Sequence, residues 1–420
     1  MTTSSSPSTV TIRTYQVGFG DCFLLSFQYS HEKRHMLIDF GTNGTPDGNN
    51  KEQLLKIAKD IRQQCGSKLH VVVATHRHKD HIDGFATNGD ESSGKIIADC
   101  RPDVVIQPWT EDPDAPTNAE ETTQTRVVNF TAALTAMQAF AERSLTEAGR
   151  LDAFRGERRE ELAFAGENNL PNKSAVMNLM KMAKTNLYVN AGLPVDLEAV
   201  LPGVKVLVLG PPTLKQSADI RKERRSDPDE FWLRQAEFWK ASRREDTEGR
   251  PLFGNAVEAG TYPLATRWFT ERAAVVRGEE LLELVRILDK AMNNTSVILL
   301  LEFNGKRLLF PGDAQIENWE YALGQQKWAS LLGSVNLYKV GHHASRNATP
   351  KSLWKLFDNK SASHSPKRLR TVVSTMAGKY GTKTESQVPR ETLVTELKAT
   401  SDYFTTQELT GNVFYHDETM

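Results

Sequence analysis

The chain has 420 residues, a formal net charge of −1, 39% apolar and 25% charged residues, which is ordinary for a soluble globular protein of one large or two smaller domains. The near-neutral balance excludes a protein that coats nucleic acid by bulk charge alone, although a local basic patch stays open. No run approaches ~18 continuous apolar residues, so no membrane span is expected.

In chain order, "MTTSSSPSTV" lacks the basic and apolar regions of a secretory signal and reads as a disordered tail over 1–10. "TVTIRTYQV" and "CFLLSFQY" are strand-like runs flanking the Gly-rich turn "GFGD", and "HMLIDFG" is a third strand ending in Asp39 and Gly41. "NKEQLLKIAKDIRQQCG" carries Leu54, Leu55, Ile57, Ala58 and Ile61 at helical spacing and closes on Gly66. "KLHVVVAT" is apolar and β-branched, a central strand, and "RPDVVIQPW" is another. Two helical, polar insertions follow, at about 111–200 and 214–290, separated by the strand "VKVLVLGPP". "SVILLLEFNGKRLLFPGDA" is a hairpin about an "NGK" turn. "VNLYKVGHH" and "RLRTVVSTMAG" are further strands, "RETLVTELKATS" a helix and "GNVFYH" a last strand. The whole predicts an α/β domain over 11–420, two sheets covered by helices on both faces. Cys22, Cys65 and Cys100 fit neither a CxxC metal pattern nor a disulfide framework, and read as reduced thiols of a cytoplasmic protein.

The stretch "ATHRHKDHIDG" concentrates chemistry directly after an apolar strand. His76 and His78 lie two apart, so in extended backbone they point the same way. Asp80 and His81 follow in a turn that can bring a second pair back to face the first. Imidazole with carboxylate suits Zn²⁺, Mn²⁺ or Fe²⁺ rather than Ca²⁺ or Mg²⁺. "LLFPGDA" places Asp313, and "LYKVGHHAS" places His342 and His343, at the ends of two later strands. Ligands gathered from several strand ends are what a pocket at a sheet edge needs.

The order "GFGD", "LIDFG", "THRHKDHIDG", "FPGDA", "VGHHAS" resembles the metallo-β-lactamase fold, an αββα four-layer sandwich, here with a largely helical insertion. Within it, the chain looks most like the soluble hydrolase domain of bacterial DNA-uptake channel proteins, and is similar to phosphorylcholine esterase domains of cell-wall enzymes. The resemblance implies two divalent metal ions, zinc first and manganese second. His76 and His78 would hold one, Asp80 and His81 the other, and Asp313 both. One of His342 and His343 would complete the second site. His343 is favoured as ligand, with His342 touching the substrate or transition state. Asp39 and Asp21 are implied as supports of the HxHxDH loop from behind. Two departures stand out: no histidine occurs from 82 to 341, where many members place another ligand, and Val388 stands where uptake-channel relatives often have histidine.

A divalent metal lowers the pKa of bound water to about 7, giving hydroxide at neutral pH. Asp80 and His342 are therefore the candidate catalytic residues, for proton handling and charge stabilisation. Basic residues crowd 339–370, and Lys339, Ser345 and Arg346 are the candidate substrate contacts. This favours an anionic substrate and a phosphodiesterase or nuclease acting on DNA or RNA. The alternatives are hydrolysis of another ester (phosphocholine ester, lactone or thioester) and a non-catalytic metal-stapled module in a multi-protein system; in either case the 111–290 insertions would act as a lid or as a docking surface for a protein partner.

Overall fold

Period-two alternation in the strands sets the architecture. In β1 (Thr9–Tyr15), Val10 and Ile12 are buried while Thr9, Thr11 and Arg13 are half-buried. The computed structural model describes residues 6–89, 91–112, 173–213, 215–217, 292–347, 349–379 and 387–420. Within them the strands form two seven-stranded sheets. The first contains β1, β2 (Cys22–Gln28), β3 (Lys33–Phe40), β4 (Val71–Val73), β5 (Val104–Pro108) and β6 (Thr185–Val189), with β14 (Tyr415–Thr419) on the outer edge of β1. The second runs β13 (Asp402–Thr405), β12 (Arg370–Val373), β11 (Leu337–Lys339), β10 (Lys306–Phe310), β9 (Ile298–Phe303), β8 (Lys205–Gly210), β7 (Pro194–Val195).

Each sheet joins an antiparallel half to a parallel half. In the first, β14 through β3 are antiparallel and β3 through β6 parallel. In the second, β7 through β10 are antiparallel and β10 through β13 parallel. Parallel neighbours need a crossover, and helices supply it. α1 (Asn50–Gln64) connects β3 to β4, then comes α2 (Lys79–Ile82), and α3 (Ser93–Asp99) leads into β5. α4 (Lys173–Lys181) precedes β6. α5 (Ile316–Leu323) and α6 (Gln326–Gly333) connect β10 to β11, α7 (Lys351–Leu356) leads to β12 and α8 (Glu391–Thr400) to β13.

Three apolar layers follow. Val10, Phe23, Ile38, Val73 and Ile106 of the first sheet meet Val208, Leu299, Leu301, Phe310 and Leu337 of the second. Phe23 meets Phe310, and Phe27 meets Phe303, edge to face at 5.6 and 5.7 Å. The outer face of the first sheet (Leu24, Leu37, Val72, Val105) packs on Leu54, Ile57 and Ile61 of α1, Ile97 of α3 and Leu179 of α4. That of the second (Ile298, Leu300, Leu309, Tyr338) packs on Trp319, Leu332, Leu353 and Leu397 of α5 to α8. The order of layers is helix, sheet, sheet, helix.

Three expectations shift. The expected tail over 1–10 overlaps β1, which begins at Thr9 with Val10 fully buried, and residues 1–5 lie outside the described residues. The stretch to 200 is not all helical insertion. It holds α4, but β6 ("TNLYV") extends the first sheet and β7 the second, since β-branched and aromatic residues there pair with β5 and β8. The last strand begins at Tyr415, four residues after the start of "GNVFYH". The remainder of both expected insertions, 113–172 and 218–291, lies outside the described residues. No helix among the described residues is long and apolar enough to cross a membrane.

Candidate metal centre

The parallel strands β3, β4, β10, β11 and β12 all end at one edge, and each delivers a piece of one buried cluster. Asp39, at the end of β3, takes two hydrogen bonds from Thr75, from its N–H at 2.7 Å and its hydroxyl at 2.8 Å. It also meets His81 Nδ1 at 2.8 Å. Asp39 thereby fixes both the start and the far end of the His76–His81 loop. Gly41 permits the close approach, because a Cβ there would lie 2.5 Å from the Asp80 carbonyl carbon and the His81 nitrogen. From the second sheet, Gly312 (φ +56) presses on Thr75, where a Cβ would meet its hydroxyl at 2.7 Å. This contact carries Asp313 to the first sheet's loop.

After β11 the chain makes a strained turn. His342, His343 and Ala344 all have positive φ, 42°, 52° and 62°. Three consecutive non-glycine residues in the left-handed region are uncommon and persist where surroundings over-determine them. The Arg390 N–H donates to the Ala344 carbonyl at 2.8 Å, and the His342 N–H to that of Gly312 at 3.3 Å. The turn drives the His343 ring inward, against Phe19 at 4.3 Å.

Asp80, His81, Asp313 and His343 bring donor atoms within 4.8 Å of one another, all buried. His343 Nε2 lies 2.8 Å from Asp80 Oδ2 and 3.6 Å from Asp313 Oδ2. His81 Nε2 lies 3.2 Å from Asp313 Oδ2. His76 and His78 stand beside this group rather than in it. His76 Nε2 is 3.0 Å from His78 Nδ1, and the His76 ring is 4.2 Å from that of His81. At that distance the two rings share a hydrogen bond.

The hydrogen bonds orient the imidazoles. His343 Nδ1 can only donate to the Ser374 carbonyl, at 2.9 Å, which leaves Nε2 facing the carboxylates. His81 does the same through Asp39. Asp80 Oδ1, Asp313 Oδ1 and His81 Nε2 are buried without a hydrogen-bond partner among the described residues. Buried polar atoms of this kind need an explanation, and a bound cation is one. The donor set, carboxylate oxygen with imidazole nitrogen, fits a divalent transition metal.

Charge states agree. Burial disfavours an imidazolium at His81, yet Asp313, Asp80 and Asp39 outweigh it and hold the pKa well above the usual 6.5. His343 is raised against burial by Asp313 and Asp80. Burial works against ionised Asp80 and Asp313 as well, but the same imidazoles hold both below the carboxylate range. His76 is pushed well down by burial, then by His81 and His78. Burial raises Asp39 against the pull of His81. In the protein alone, protons on His81 and His343 balance the carboxylates, and a divalent cation would take over that role with proton release.

His342 lies at the rim, with a side chain 22% exposed and Nε2 4.0 Å from Asp313 Oδ2. Asp21 sits behind the loop, its oxygens 3.7 Å from His81 Nδ1 and 3.8 Å from His343 Nδ1. Lys339 corrects an expectation. It does not face substrate but is 1% exposed, ion-paired with Asp21 and 3.8 Å from Asp313. A lysine inside an apolar strand must find a carboxylate, and that position in "LYKV" is the signal that could have revealed it. Two further residues of the expected basic flank are likewise committed. Arg368 is buried on Asp402 and the Ala399 carbonyl, and Arg370 pairs with Glu418. Ser345 is 6% exposed and donates to Asn347, while Arg346 is half-buried in the same loop.

Sequence reasoning passed over Thr75, Ser374 and the Arg77–Glu111 pair, 2.8 Å, which fastens the residue between His76 and His78 to the turn after β5. A cleft of about 440 Å³ lined by Arg34, Lys68, His70, Asp103 and Lys184 lies at the opposite, starting ends of the strands. Its lysines already pair with Asp103, and it has no part in the cluster. Compared with models of known protein families and with curated proteins, the chain matches none of them.

Proposed function

We propose that the chain is a metal-dependent hydrolase of the metallo-β-lactamase fold acting on a phosphodiester, with DNA or RNA as the leading substrate. The observation that carries this reading is the convergence of Asp80, His81, Asp313 and His343 within 4.8 Å at one buried sheet edge. His76 and His78 would hold one divalent metal, Asp80, His81 and His343 would hold a second, and Asp313 would contribute to both. Zinc suits the donor set best and manganese next. A divalent metal bound there supplies Lewis-acid polarisation and lowers the pKa of water to about 7.

The chain's own groups do the rest. Asp39 and the Ser374 carbonyl keep the Nδ1 protons of His81 and His343 in place, so both Nε2 lone pairs face the cluster. Asp80 Oδ1, without a hydrogen-bond partner among the described residues, orients the attacking water and accepts its proton. His342, at the solvent edge, donates to the charge that develops on the reacting group. Lys339 neutralises Asp21, so the site repels an anionic substrate less than its carboxylates alone would.

One observation favours a second reading, hydrolysis of a carboxylic ester, lactone or thioester. Lys339, Arg368 and Arg370 face internal partners, which weakens the attraction for a polyanion. The deciding experiment offers metal-loaded protein plasmid DNA, single-stranded DNA, RNA, bis(p-nitrophenyl) phosphate, a lactone and a thioester, each with and without chelator. Chelator-sensitive phosphodiester cleavage, reduced ~10²–10⁴-fold in Asp80→Ala, is expected. Turnover of the lactone or thioester alone moves the assignment to the second reading. No turnover of any of them rules out both.

A further inference from the structure

Two of the three cysteines, widely separated in sequence, meet in the fold. Cys65 directly follows α1 and Cys100 directly follows α3, and their sulfurs lie 3.9 Å apart. Both helix ends are pinned to the entry of β4. The Lys68 N–H donates to the Cys65 carbonyl at 2.9 Å and the Leu69 N–H to the Cys100 carbonyl at 3.0 Å. A disulfide would bring the two sulfurs from 3.9 Å to about 2.05 Å.

The two thiols are not equivalent. Cys65 is 5% exposed and surrounded in sequence by the exposed Gln63, Gln64, Gly66 and Ser67, whereas Cys100 is fully buried. The Cys100 thiol beside it holds Cys65 below the usual thiol value against its burial, with help from the backbone N–H groups of Lys68 and Ser67. Cys100 is pushed up by the same contact and by burial. A thiol close to exposed residues with a second, fully buried thiol in contact behind it is the arrangement of an attacking and a resolving cysteine.

We propose that Cys65 and Cys100 are a reversible, hydroperoxide-responsive thiol pair, a modification site whose disulfide closes the 65–100 segment. The Cys65 thiolate attacks the peroxide, forming an S–O bond and breaking O–O, and the departing oxygen takes a proton and leaves as water or alcohol. Cys100 sulfur then attacks the Cys65 sulfenic acid. The S–S bond forms, S–O breaks, and the Cys100 proton leaves with the hydroxyl as water. Two electrons pass from the thiol pair to the peroxide, and a thiol reductant reverses the change. The closed segment contains β4, the whole His76–His81 loop and α3, so oxidation staples the part of the chain richest in cluster residues. The proposal stands independently of any hydrolytic activity.

The test treats the intact, folded protein with graded hydrogen peroxide, then denatures it, alkylates free thiols and maps peptides by mass spectrometry. Met177, 46% exposed, serves as an internal gauge of dose through its sulfoxide. The expected result is a Cys65–Cys100 cross-link, lighter by two hydrogens and reversed by dithiothreitol. It should form at doses that leave most Met177 intact, with Cys22 still alkylated and Tm raised by several degrees. In Cys100→Ser, dimedone should trap a sulfenic acid at Cys65; in Cys65→Ser, Cys100 should stay alkylatable. Persistence of both thiols once Met177 is oxidised overturns the proposal, as does a cross-link that appears only after denaturation.

Discussion

At the scale of single residues, the cluster is ordered by groups that would not touch substrate. Asp39 makes three contacts of 2.7–2.8 Å, two with Thr75 and one with His81, so it sets the tautomer and the aim of His81 together. Asp39→Ala should lower metal affinity ~10–100-fold, read by titration with a competing chromophoric chelator, while an unchanged affinity would show that the loop holds itself. Away from the cluster, His35 and His70 are both pushed down to about 4, chiefly by burial, then by His70 and Lys33 for the first and by Lys68 and Arg34 for the second. His70 Nδ1 accepts the His35 N–H at 3.0 Å and cannot do so when protonated. The unfolded chain takes up these protons below about 6.5, the folded chain only near 4. The stability both groups contribute is thus complete above 6.5 and erodes as pH falls from 6.5 towards 4. Imidazole proton NMR should show both titrating near 4, and midpoints near 6.5 would contradict their burial.

At the scale of elements, strand ends do the positioning. The turn after β10 can press on Thr75 only because residue 312 is glycine at φ +56. Gly312→Ala should destabilise the fold by ~1–3 kcal/mol and weaken metal binding with it. Denaturant unfolding checks the first and metal titration the second, and a variant with wild-type values in both would show that the close approach is dispensable. The same elements explain what could be read in advance. His76, His78, Asp80 and His81 are local in sequence, so spacing alone displayed them, and Asp313 and His343 were conspicuous as polar residues ending apolar runs. The fate of Lys339 was legible only from its place inside the apolar strand "LYKV", and which carboxylate it meets was hidden until Asp21 was brought beside it by the fold. The meeting of Cys65 with Cys100 was equally hidden. It depends on β4 and β5 lying side by side, which brings the ends of α1 and α3 together only in the folded sheet. Strand β6 was absorbed into a helical reading because its five residues follow directly on a polar, helical stretch.

At the scale of the molecule, two sheets of mixed direction pack so that the parallel halves of both open at one edge. Neither sheet alone holds the cluster: Asp80 and His81 belong to the first, Asp313 and His343 to the second. Folding therefore brings two carboxylates and two imidazoles into one buried group, whose charge is balanced by protons on the imidazoles or by a divalent cation in their place. That a divalent cation takes this place is the central proposal, and metal content tests it most directly. Purified protein loaded with zinc or manganese, then dialysed, should retain near two ions per chain by elemental analysis. Asp313→Ala should lose most of both, because Asp313 would serve both positions in the proposed arrangement. Wild-type protein that retains no divalent ion under any loading condition would contradict the account.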